Sequence, residues 1–454
     1  MKKSARLLLT LLAIAVIVFA GALMYALVPT HTRPIASSQS PHSDAASIER
    51  GRYLAVAADC TACHTAPGGQ PFAGDFAVDS PLGAIYTNNI TPDKATGIGK
   101  FTLNDFDRAV RRGIGFRGAT LYPAMPYPSY ALMSDEDISA LYDYFMHAVP
   151  PVSSTKHANN IPWPLSIRWP VAIWRKLFAP SPDAPAFNAS HYTDPLVARG
   201  AYLVEGPGHC GACHTPRALT LQEKALDDSS SVFLSGGQRI GGWAAVNLRG
   251  NPADGLGNWS KDDIVATLRT ARNSQQAVIG TPMNDVIVHS TQYLNDADLQ
   301  AIAAYLKTLA PAPGDRSKFA PNPITAAALA AGHEANRGAE LYVDNCAACH
   351  RTDGEGSPKV LPKMAGNSTV LSDDPNSLIS VVLAGSSLPG TAAAPSALGM
   401  PGFGWRLSND EAAQLLTFIR NSWGNQASSV SAGEVGRVRA LLDVQSLPKT
   451  SSND

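Results

Sequence analysis

The sequence has little charge and few cysteines. Only 16% of its 454 residues are charged, six are cysteine, and the formal net charge is −1. A nucleic-acid-binding protein needs a concentrated basic surface, so this composition argues against that class. The chain also lacks a Gly-rich dinucleotide fingerprint, a nucleophile motif and spare cysteines for an iron–sulfur cluster. The sequence therefore shows no sign of these three kinds of catalytic or cofactor site.

The six cysteines form three copies of one pattern, Cys-x-x-Cys-His, at residues 60–64, 210–214 and 346–350. In c-type haem attachment the two thiols bond to the haem vinyl groups, and the adjacent imidazole binds the iron as its proximal ligand. One such motif alone could instead be half of a zinc site or a redox dithiol. A zinc site built from two pairs would leave the third pair over, and a dithiol is not expected in triplicate with His each time. The sequence therefore predicts three covalent haems, held by Cys60, Cys63, Cys210, Cys213, Cys346 and Cys349, with His64, His214 and His350 as proximal ligands.

The N-terminal segment has the features of an export signal. Lys2, Lys3 and Arg6 precede a charge-free, mostly apolar run from Leu7 to Val28. Positive residues before such a run keep the N-terminus in the cytoplasm and direct the following chain across the membrane. About twenty apolar residues can span a bilayer, whereas residues 20–22 (Ala-Gly-Ala) offer a signal peptidase small side chains. We favour an uncleaved anchor in the inner membrane, with the haem motifs on the periplasmic side.

Each motif lies between two predicted helices. The helix before it contains a glycine, which allows another helix to approach closely, at Gly51, Gly200 and Gly338. The closing helix of each unit starts at an N-cap residue with an acid three positions later, at Ser134, Asn295 and Ser408. We interpret Tyr142, Tyr305 and Phe418 as core residues that pack against the first helix.

Methionine is the candidate for the sixth iron ligand. Of eight methionines, one lies in a Pro-marked loop shortly before each closing helix: Met125, Met283 and Met400. A thioether favours ferrous iron and raises the reduction potential, as suits an electron carrier. Methionine is more often core filler, and we interpret Met133, Met146 and Met364 in that way. His209 is too close to Cys210 to reach the distal face, and His147, His289 and His333 are expected on the surface or in loops.

These patterns predict a mainly α protein with three tandem haem domains, long loops and an N-terminal hydrophobic helix. The expected segments are a signal or anchor (1–28), a tether (29–47), domain 1 (48–150), a linker (151–195), domain 2 (196–310), a linker (311–332), domain 3 (333–425) and a tail (426–454). The second linker is rich in Pro and Ala and is expected to be surface chain. The stretch from Val438 to Val444 has no assignment.

Longer sequence segments around the three motifs resemble those of a known protein family. They include GRYLAVAADCTACHTAPGGQPFAG and LYPAMPYPSY around the first motif, HCGACHTPRALT and DGLGNWS around the second, and LYVDNCAACHRTDGEG and MPGFGWRLSNDE around the third. Over residues 48 to 425 the chain resembles the triple-haem cytochrome c subunit of bacterial membrane-bound dehydrogenases, such as alcohol dehydrogenase and gluconate 2-dehydrogenase. The resemblance implies His/Met ligation of three irons. It also implies a partner that carries the organic catalysis, and ubiquinone or a terminal oxidase as acceptor. A large dehydrogenase subunit of flavin, quinoprotein or molybdenum type could pass electrons to such a protein, and a small accessory subunit is a further candidate.

The expected function is relay of single electrons as a subunit of an oxidoreductase complex. With a methionine on each iron, no haem has an open position for oxygen or peroxide. A haem peroxidase is the rival class and would need one iron to lose its sixth ligand. A free-standing anchored electron shuttle is the other alternative.

The first linker contains Trp163, Trp169 and Trp174 among prolines and basic residues. Such a segment could rest on the membrane interface or on a partner. Alternatively, these tryptophans could cover haem edges or pack between domains.

Overall fold

The computed structural model describes residues 2–35, 44–181, 187–240, 242–274, 279–314 and 318–446. Parts of the predicted tether (36–43), of both linkers (182–186 and 315–317) and of the tail (447–454) lie outside the described residues. The chain divides into two compact units, one of residues 1–188 and 206–209, the other of residues 189–205 and 210–454. The first unit contains the motif at Cys60, and the second contains the other two. The prediction of a mainly α protein is confirmed.

The first unit is built from helices and one small hairpin. Its helices are α1 (Lys2–Leu27), α2 (Ala45–Ala57), α3 (Cys60–His64), α4 (Leu103–Arg112), α5 (Tyr127–Tyr130), α6 (Asp135–His147) and α7 (Trp169–Phe178). Strands β1 (Ala77–Val78) and β2 (Ile85–Tyr86) pair antiparallel, with Ala77 opposite Tyr86.

The second unit has more helices and three antiparallel strand pairs. Its helices are α8 (Pro195–Glu205), α9 (Gly211–His214), α10 (Lys261–Thr270), α11 (Thr281–His289), α12 (Asp296–Leu306), α13 (Ile324–Ala330), α14 (Arg337–Asn345), α15 (Ala347–His350), α16 (Ser368–Leu371), α17 (Asn376–Ala384), α18 (Asn409–Arg420) and α19 (Ala432–Ser446). Two 3-10 turns cover Ala189–His191 and Thr291–Tyr293. The strand pairs are β3 (Arg239–Ile240) with β4 (Trp243–Ala244), β5 (Lys318–Phe319) with β8 (Asn425–Gln426), and β6 (Ser386–Leu388) with β7 (Leu398–Met400).

Helix α1 is long and apolar. Its stretch Ser4–Leu27 is long enough to cross a membrane, and an 18-residue window within it has a mean hydropathy of 2.8 and no buried residue. At about 1.5 Å per residue, such a helix matches the roughly 30 Å hydrocarbon layer of a bilayer. A signal sequence near an N-terminus would have the same properties.

The same helix crossing occurs around each motif. A Cβ built on Gly51 in α2 would lie 1.9 Å from the carbonyl oxygen of Ala140 in α6. A Cβ on Gly200 in α8 would lie 2.0 Å from the carbonyl oxygen of Ala301 in α12. A Cβ on Gly338 in α14 would lie 2.5 Å from the carbonyl oxygen of Gln414 in α18. Only glycine permits such contacts. The prediction that these glycines admit a second helix is confirmed.

The aromatic residue at each crossing lies four positions after the contacting carbonyl. The Cβ of Tyr305 lies 2.7 Å from where a Cβ on Gly200 would be, and the Cβ of Phe418 lies 2.8 Å from where a Cβ on Gly338 would be. The prediction that these two aromatic residues pack against the first helix is therefore confirmed. In the first unit this residue is Tyr144, at 2.7 Å from a Cβ on Gly51, and not Tyr142. The prediction that Tyr142 is a core residue is confirmed, because it packs against the buried cluster of the first unit. Its ring meets Phe106 of α4 rather than the glycine of α2, since residues two apart on a helix do not share a face. Its hydroxyl instead donates to the carbonyl of Phe101 at 2.8 Å.

The predicted starts of the closing helices are confirmed. The side chains of Ser134, Asn295 and Ser408 accept hydrogen bonds from the backbone N–H groups of Asp137, Asp298 and Glu411. At Ser408 the Glu411 side chain also accepts from the Ser408 N–H, which completes a capping box.

Parts of the second linker and of the tail pack onto the third haem-motif region. Leu329 of α13 belongs to the same buried cluster as Leu415 of α18, so the expectation of surface chain is wrong there. The unassigned stretch lies in α19, whose Val435 and Val438 enter that cluster. The guanidinium of Arg439 donates to the carbonyls of Gly404 and Leu407, fixing α19 beside the chain that leads into α18.

Candidate haem sites

Each Cys-x-x-Cys-His sequence forms a short helical turn. The turns are α3, α9 after its N-cap Cys210, and α15 after its N-cap Cys346. Residues i, i+3 and i+4 of a helix share one face, so this conformation presents both sulfurs and the imidazole on one side. None of the six cysteines is in a disulfide, so each sulfur can bond to a haem vinyl group.

The imidazole of each motif is fixed by a backbone carbonyl. The Nδ1 atoms of His64, His214 and His350 lie 2.7, 2.7 and 2.8 Å from the carbonyl oxygens of Asn88, Val246 and Pro362. A carbonyl only accepts, so Nδ1 carries the hydrogen and Nε2 keeps its lone pair. Burial lowers the pKa of all three rings, which favours the neutral form that ligates iron. These rings therefore fit the proximal position of a haem.

Two asparagines that the sequence analysis missed support these carbonyls. Asn89 and Asn247 directly follow the accepting residues, and their side-chain oxygens accept from the N–H groups of Thr91 and Arg249, both at 2.9 Å. This Asx turn fixes the loop conformation. An internal repeat in the sequence could have indicated these asparagines. Asn89-Ile90 is followed by Gly97-Ile98-Gly99, and Asn247-Leu248 is followed at the same distance by Gly255-Leu256-Gly257.

The first cysteine of each motif lies in apolar surroundings. Burial there raises the pKa values of Cys60, Cys210 and Cys346 to about 12. Within the described ranges, no group of three or more His, Cys, Asp and Glu side chains is placed to hold a metal ion. The zinc alternative, which needs four such ligands, therefore lacks its ligand set there.

Met125 lies in a turn, as predicted. Its carbonyl accepts from the N–H of Tyr127 at 2.8 Å, and Pro126 is the N-cap of α5. The half-buried Met125 and Cys60 both pack against the apolar cluster that includes Phe106 and Ile138. The first candidate thioether and the first candidate thiol thus border one apolar cluster.

Met283 lies on a helix. The sequence predicts a loop here, but Gly280 is the N-cap of α11 and Pro282 lies in its first turn. Proline is favoured in that position because its missing N–H is not needed there. Met283 is half-buried and packs against the cluster of Ala271, Ile279 and Ile287.

Met400 also lies in a regular element. It ends strand β7, opposite Ser386 of β6, so the expectation of a loop was wrong here too. Met364 and Cys346 belong to the same buried cluster, which makes Met364 the structural rival of Met400. The interpretation of Met133, Met146 and Met364 as core or core-packing residues is confirmed.

Three histidines predicted to lie on the surface or in loops do so. His147, His289 and His333 are exposed at helix ends or in a loop. The ring of His209 points to the carbonyl of Pro207, 2.9 Å from Nδ1, and packs edge-on against Tyr130.

Helix α11 and strand β6 connect the second and third haem-motif regions. Asn284 donates from Nδ2 to the carbonyl of Ser387 at 2.6 Å, and Leu388 packs against the same cluster as Met283. Arg239 forms an ion pair with Asp374 at 2.5 Å, and the Ala244 N–H donates to the Ser377 hydroxyl at 2.8 Å. Helix α11, which carries Met283, is therefore attached to the β6–β7 hairpin, and strand β7 of that hairpin carries Met400.

Comparison with known proteins agrees with this geometry. The family model Cytochrome c matches residues 48–148, 197–310 and 335–423. The chain is 51% identical to the gluconate 2-dehydrogenase cytochrome c subunit of Pantoea cypripedii, over 91% of this chain and 94% of the relative. It is 50% identical to the cytochrome c subunit of the alcohol dehydrogenase (quinone) of Gluconacetobacter polyoxogenes (89% and 86% covered). It is 39% identical to the fructose dehydrogenase cytochrome subunit of Gluconobacter japonicus (91% and 85% covered).

Proposed function

The chain belongs to the cytochrome c family, within the group of dehydrogenase cytochrome c subunits, and we propose that it relays single electrons through three covalently bound haems. Haem c, when bound, supplies a ferric/ferrous couple that accepts and returns one electron. The observation that carries the proposal is the threefold repeat of a Cys-x-x-Cys-His turn whose imidazole is fixed by a backbone carbonyl.

The proposed roles follow from this repeat. Cys60, Cys63, Cys210, Cys213, Cys346 and Cys349 bind haem covalently, His64, His214 and His350 are the proximal ligands, and Met125, Met283 and Met400 are the distal ligands. Shared packing of Met125 and Cys60 supports the first assignment. The attachment of α11 and β7 to one hairpin supports electron exchange between the second and third haems.

The partner is a dehydrogenase that oxidises the organic substrate. The names of the relatives, which are subunits of gluconate 2-dehydrogenase and of alcohol dehydrogenase (quinone), support this assignment. We infer a large subunit of flavin, quinoprotein or molybdenum type, with ubiquinone or a terminal oxidase as the electron acceptor. Helix α1 is inferred to remain as an anchor in the inner membrane, with the haem domains on the periplasmic side, because it matches a bilayer in length and hydropathy.

The haem content tests the proposal directly. Protein denatured and extracted with acid acetone should keep its red colour, and the pyridine haemochrome assay should give three haems per chain. A ratio clearly below three would contradict the cofactor assignment. Purification under mild detergent should retain a large dehydrogenase subunit, and addition of that subunit's substrate should reduce all three haems. Haems that stay oxidised in the presence of the partner and its substrate would contradict the relay.

A further inference from the structure

Residues 163–178, here called the surface segment, expose an unusual amount of apolar surface. Trp163, Leu165, Ile167 and Leu177 expose 81%, 51%, 37% and 61% of their surface. Isolated exposed apolar residues are normal, but several large ones in one short segment indicate contact with a partner or a membrane. Helix α7 forms the second half of this segment.

Helix α7 is attached to the end of α1. Trp169 packs edge-on against Phe19, with ring centroids 5.6 Å apart. Lys176 donates from Nζ to the carbonyl of Val28 at 2.7 Å and also to that of Tyr25. These carbonyls belong to the unpaired end of α1, where a positive charge is favourable. The surface segment is thus fixed at the point where the candidate membrane span ends.

The position of this contact along α1 sets the depth of the surface segment. Phe19 lies about 12 Å before the end of α1 at Leu27, since a helix rises about 1.5 Å per residue. One leaflet contributes about half of the roughly 30 Å hydrocarbon layer. If α1 spans the membrane, α7 lies alongside the part of α1 that occupies the outer leaflet.

The backbone and charges of the surface segment suit an apolar environment. Two N–H groups of the Pro-rich loop are satisfied internally, from Ser166 to the Pro162 carbonyl and from Ile167 to the Pro164 carbonyl. The Arg168 guanidinium stacks on the Tyr122 ring, 3.8 Å from its centroid, and Arg175 donates to the Thr30 hydroxyl at 2.7 Å. These basic groups therefore serve intramolecular contacts, while Leu177 of α7 and the apolar side chains of the preceding loop remain exposed.

We propose that residues 163–178 insert into the outer leaflet of the membrane beside α1 and hold the first haem domain against the bilayer surface. The inference rests on the proposed anchoring of α1. Its occupant is lipid, because the segment is continuous with the candidate span, and binding uses apolar side chains rather than lipid charge. Insertion should therefore occur equally well in zwitterionic bilayers and in bilayers that also contain anionic lipid.

Spin labels on the full-length haem protein in phosphatidylcholine nanodiscs test this proposal. The six native cysteines are bonded to haem in the proposed protein, so Leu165→Cys and Leu177→Cys each introduce one reactive thiol at an exposed site. Both labels should be relaxed more by oxygen than by a water-soluble nickel complex. A label on Glu136→Cys, at the exposed start of α6, is the matched control and should show the opposite ranking.

Two results would overturn the proposal. Labels at residues 165 and 177 that behave like the control would mean that the surface segment lies in water, and labels shielded from both reagents would mean that a protein covers it. The anchor is tested separately by the intact mass of the same sample. A mass showing that α1 has been removed refutes the anchor, whereas lipid-exposed labels in that shortened protein would still support the surface segment.

Discussion

A Cβ on residue 200 would lie 2.0 Å from the carbonyl oxygen of Ala301, so Gly200 is the point at which α8 touches α12. The two nearest obstructing atoms are backbone atoms of Ala301, which cannot move aside without shifting a helix. The same relationship joins Gly51 to Ala140 and Gly338 to Gln414. This crossing sets the spacing between the helix that leads into each haem motif and the helix that closes the unit.

Replacing Gly200 by alanine should therefore destabilise the protein. Overpacking of this kind costs about 1–3 kcal/mol. The free energy of unfolding of Gly200→Ala, measured by denaturant titration of the haem-loaded protein, should fall by that amount. Gly433→Ala is the matched control, because its Cβ would meet nothing closer than 3.7 Å and it lies in helix α19. The control should be neutral or slightly stabilised, and equal effects of the two changes would contradict the crossing.

A buried ion pair holds α4 in the first unit. Arg111 pairs with Asp107, both nearly fully buried, and also donates to the carbonyl of Met133 at 3.0 Å. Arg111→Ala should leave the Asp107 carboxylate buried without its partner, at a cost of about 3–5 kcal/mol in unfolding free energy. Denaturant titration should show this loss, whereas Arg52→Ala, which removes an exposed pair with Glu49, should leave stability unchanged. A loss no larger than that of the control would mean that Asp107 is solvated.

Glu205 should make stability depend on pH. It accepts hydrogen bonds from the hydroxyls of Tyr305 and Tyr192, at 2.5 and 3.3 Å, and Tyr192 also donates to Asp228 at 3.1 Å. Burial raises the pKa of Glu205 from 4.5 to about 7. The folded state thus retains a proton that the unfolded state loses above about pH 4.5, so stability falls as pH rises from about 4.5 to about 7.

The Glu205→Gln variant isolates this effect, because the amide oxygen still accepts from Tyr305 and does not titrate. Glu223, whose pKa burial also raises to about 7, stays in both proteins and cancels in the comparison. As pH rises from about 4.5 to about 7, the unfolding free energy of the wild type should therefore fall relative to that of Glu205→Gln. A difference that is constant between pH 4.5 and 7 would show that Glu205 is ionised in the folded protein.

The sequence was sufficient to predict those features for which few residue types are physically suitable. Glycines at the crossings, the cap residue Ser408 and the mainly helical fold were all predicted, because backbone approach and N–H satisfaction admit few alternatives. The packing of Tyr144 was missed, because the face that a residue presents depends on how two helices cross. Met283 was placed in a loop because Pro282 breaks a helix everywhere except in its first turn. The carbonyl of Asn88 has no side-chain signature of its own, and only the repeated Asn89 and Asn247 that follow the accepting residues could have indicated it.

Met400 and Met364 compete as the sixth ligand of the third iron, because Met364 lies in the same buried cluster as Cys346. If Met400 binds the third iron, Met400→His should keep that iron six-coordinate and lower its potential, since a thioether raises the potential. About 59 mV corresponds to a tenfold change for a one-electron couple. A drop of about 120 mV would therefore shift the electron distribution about a hundredfold and slow transfer to the acceptor, while the dehydrogenase partner still reduces its own cofactor.

Spectroelectrochemical titration of the purified variants decides between the two methionines. Met400→His should show one lowered and two unchanged midpoint potentials. Met364→Leu, a change of similar volume in the core, should leave all three potentials unchanged and keep the weak far-red band of methionine on ferric haem. If Met400→His leaves the three potentials unchanged while Met364→Leu shifts one and loses that band, the sixth ligand is Met364. The β6–β7 hairpin would then fix the contact between the second and third haem domains without contributing a ligand of its own.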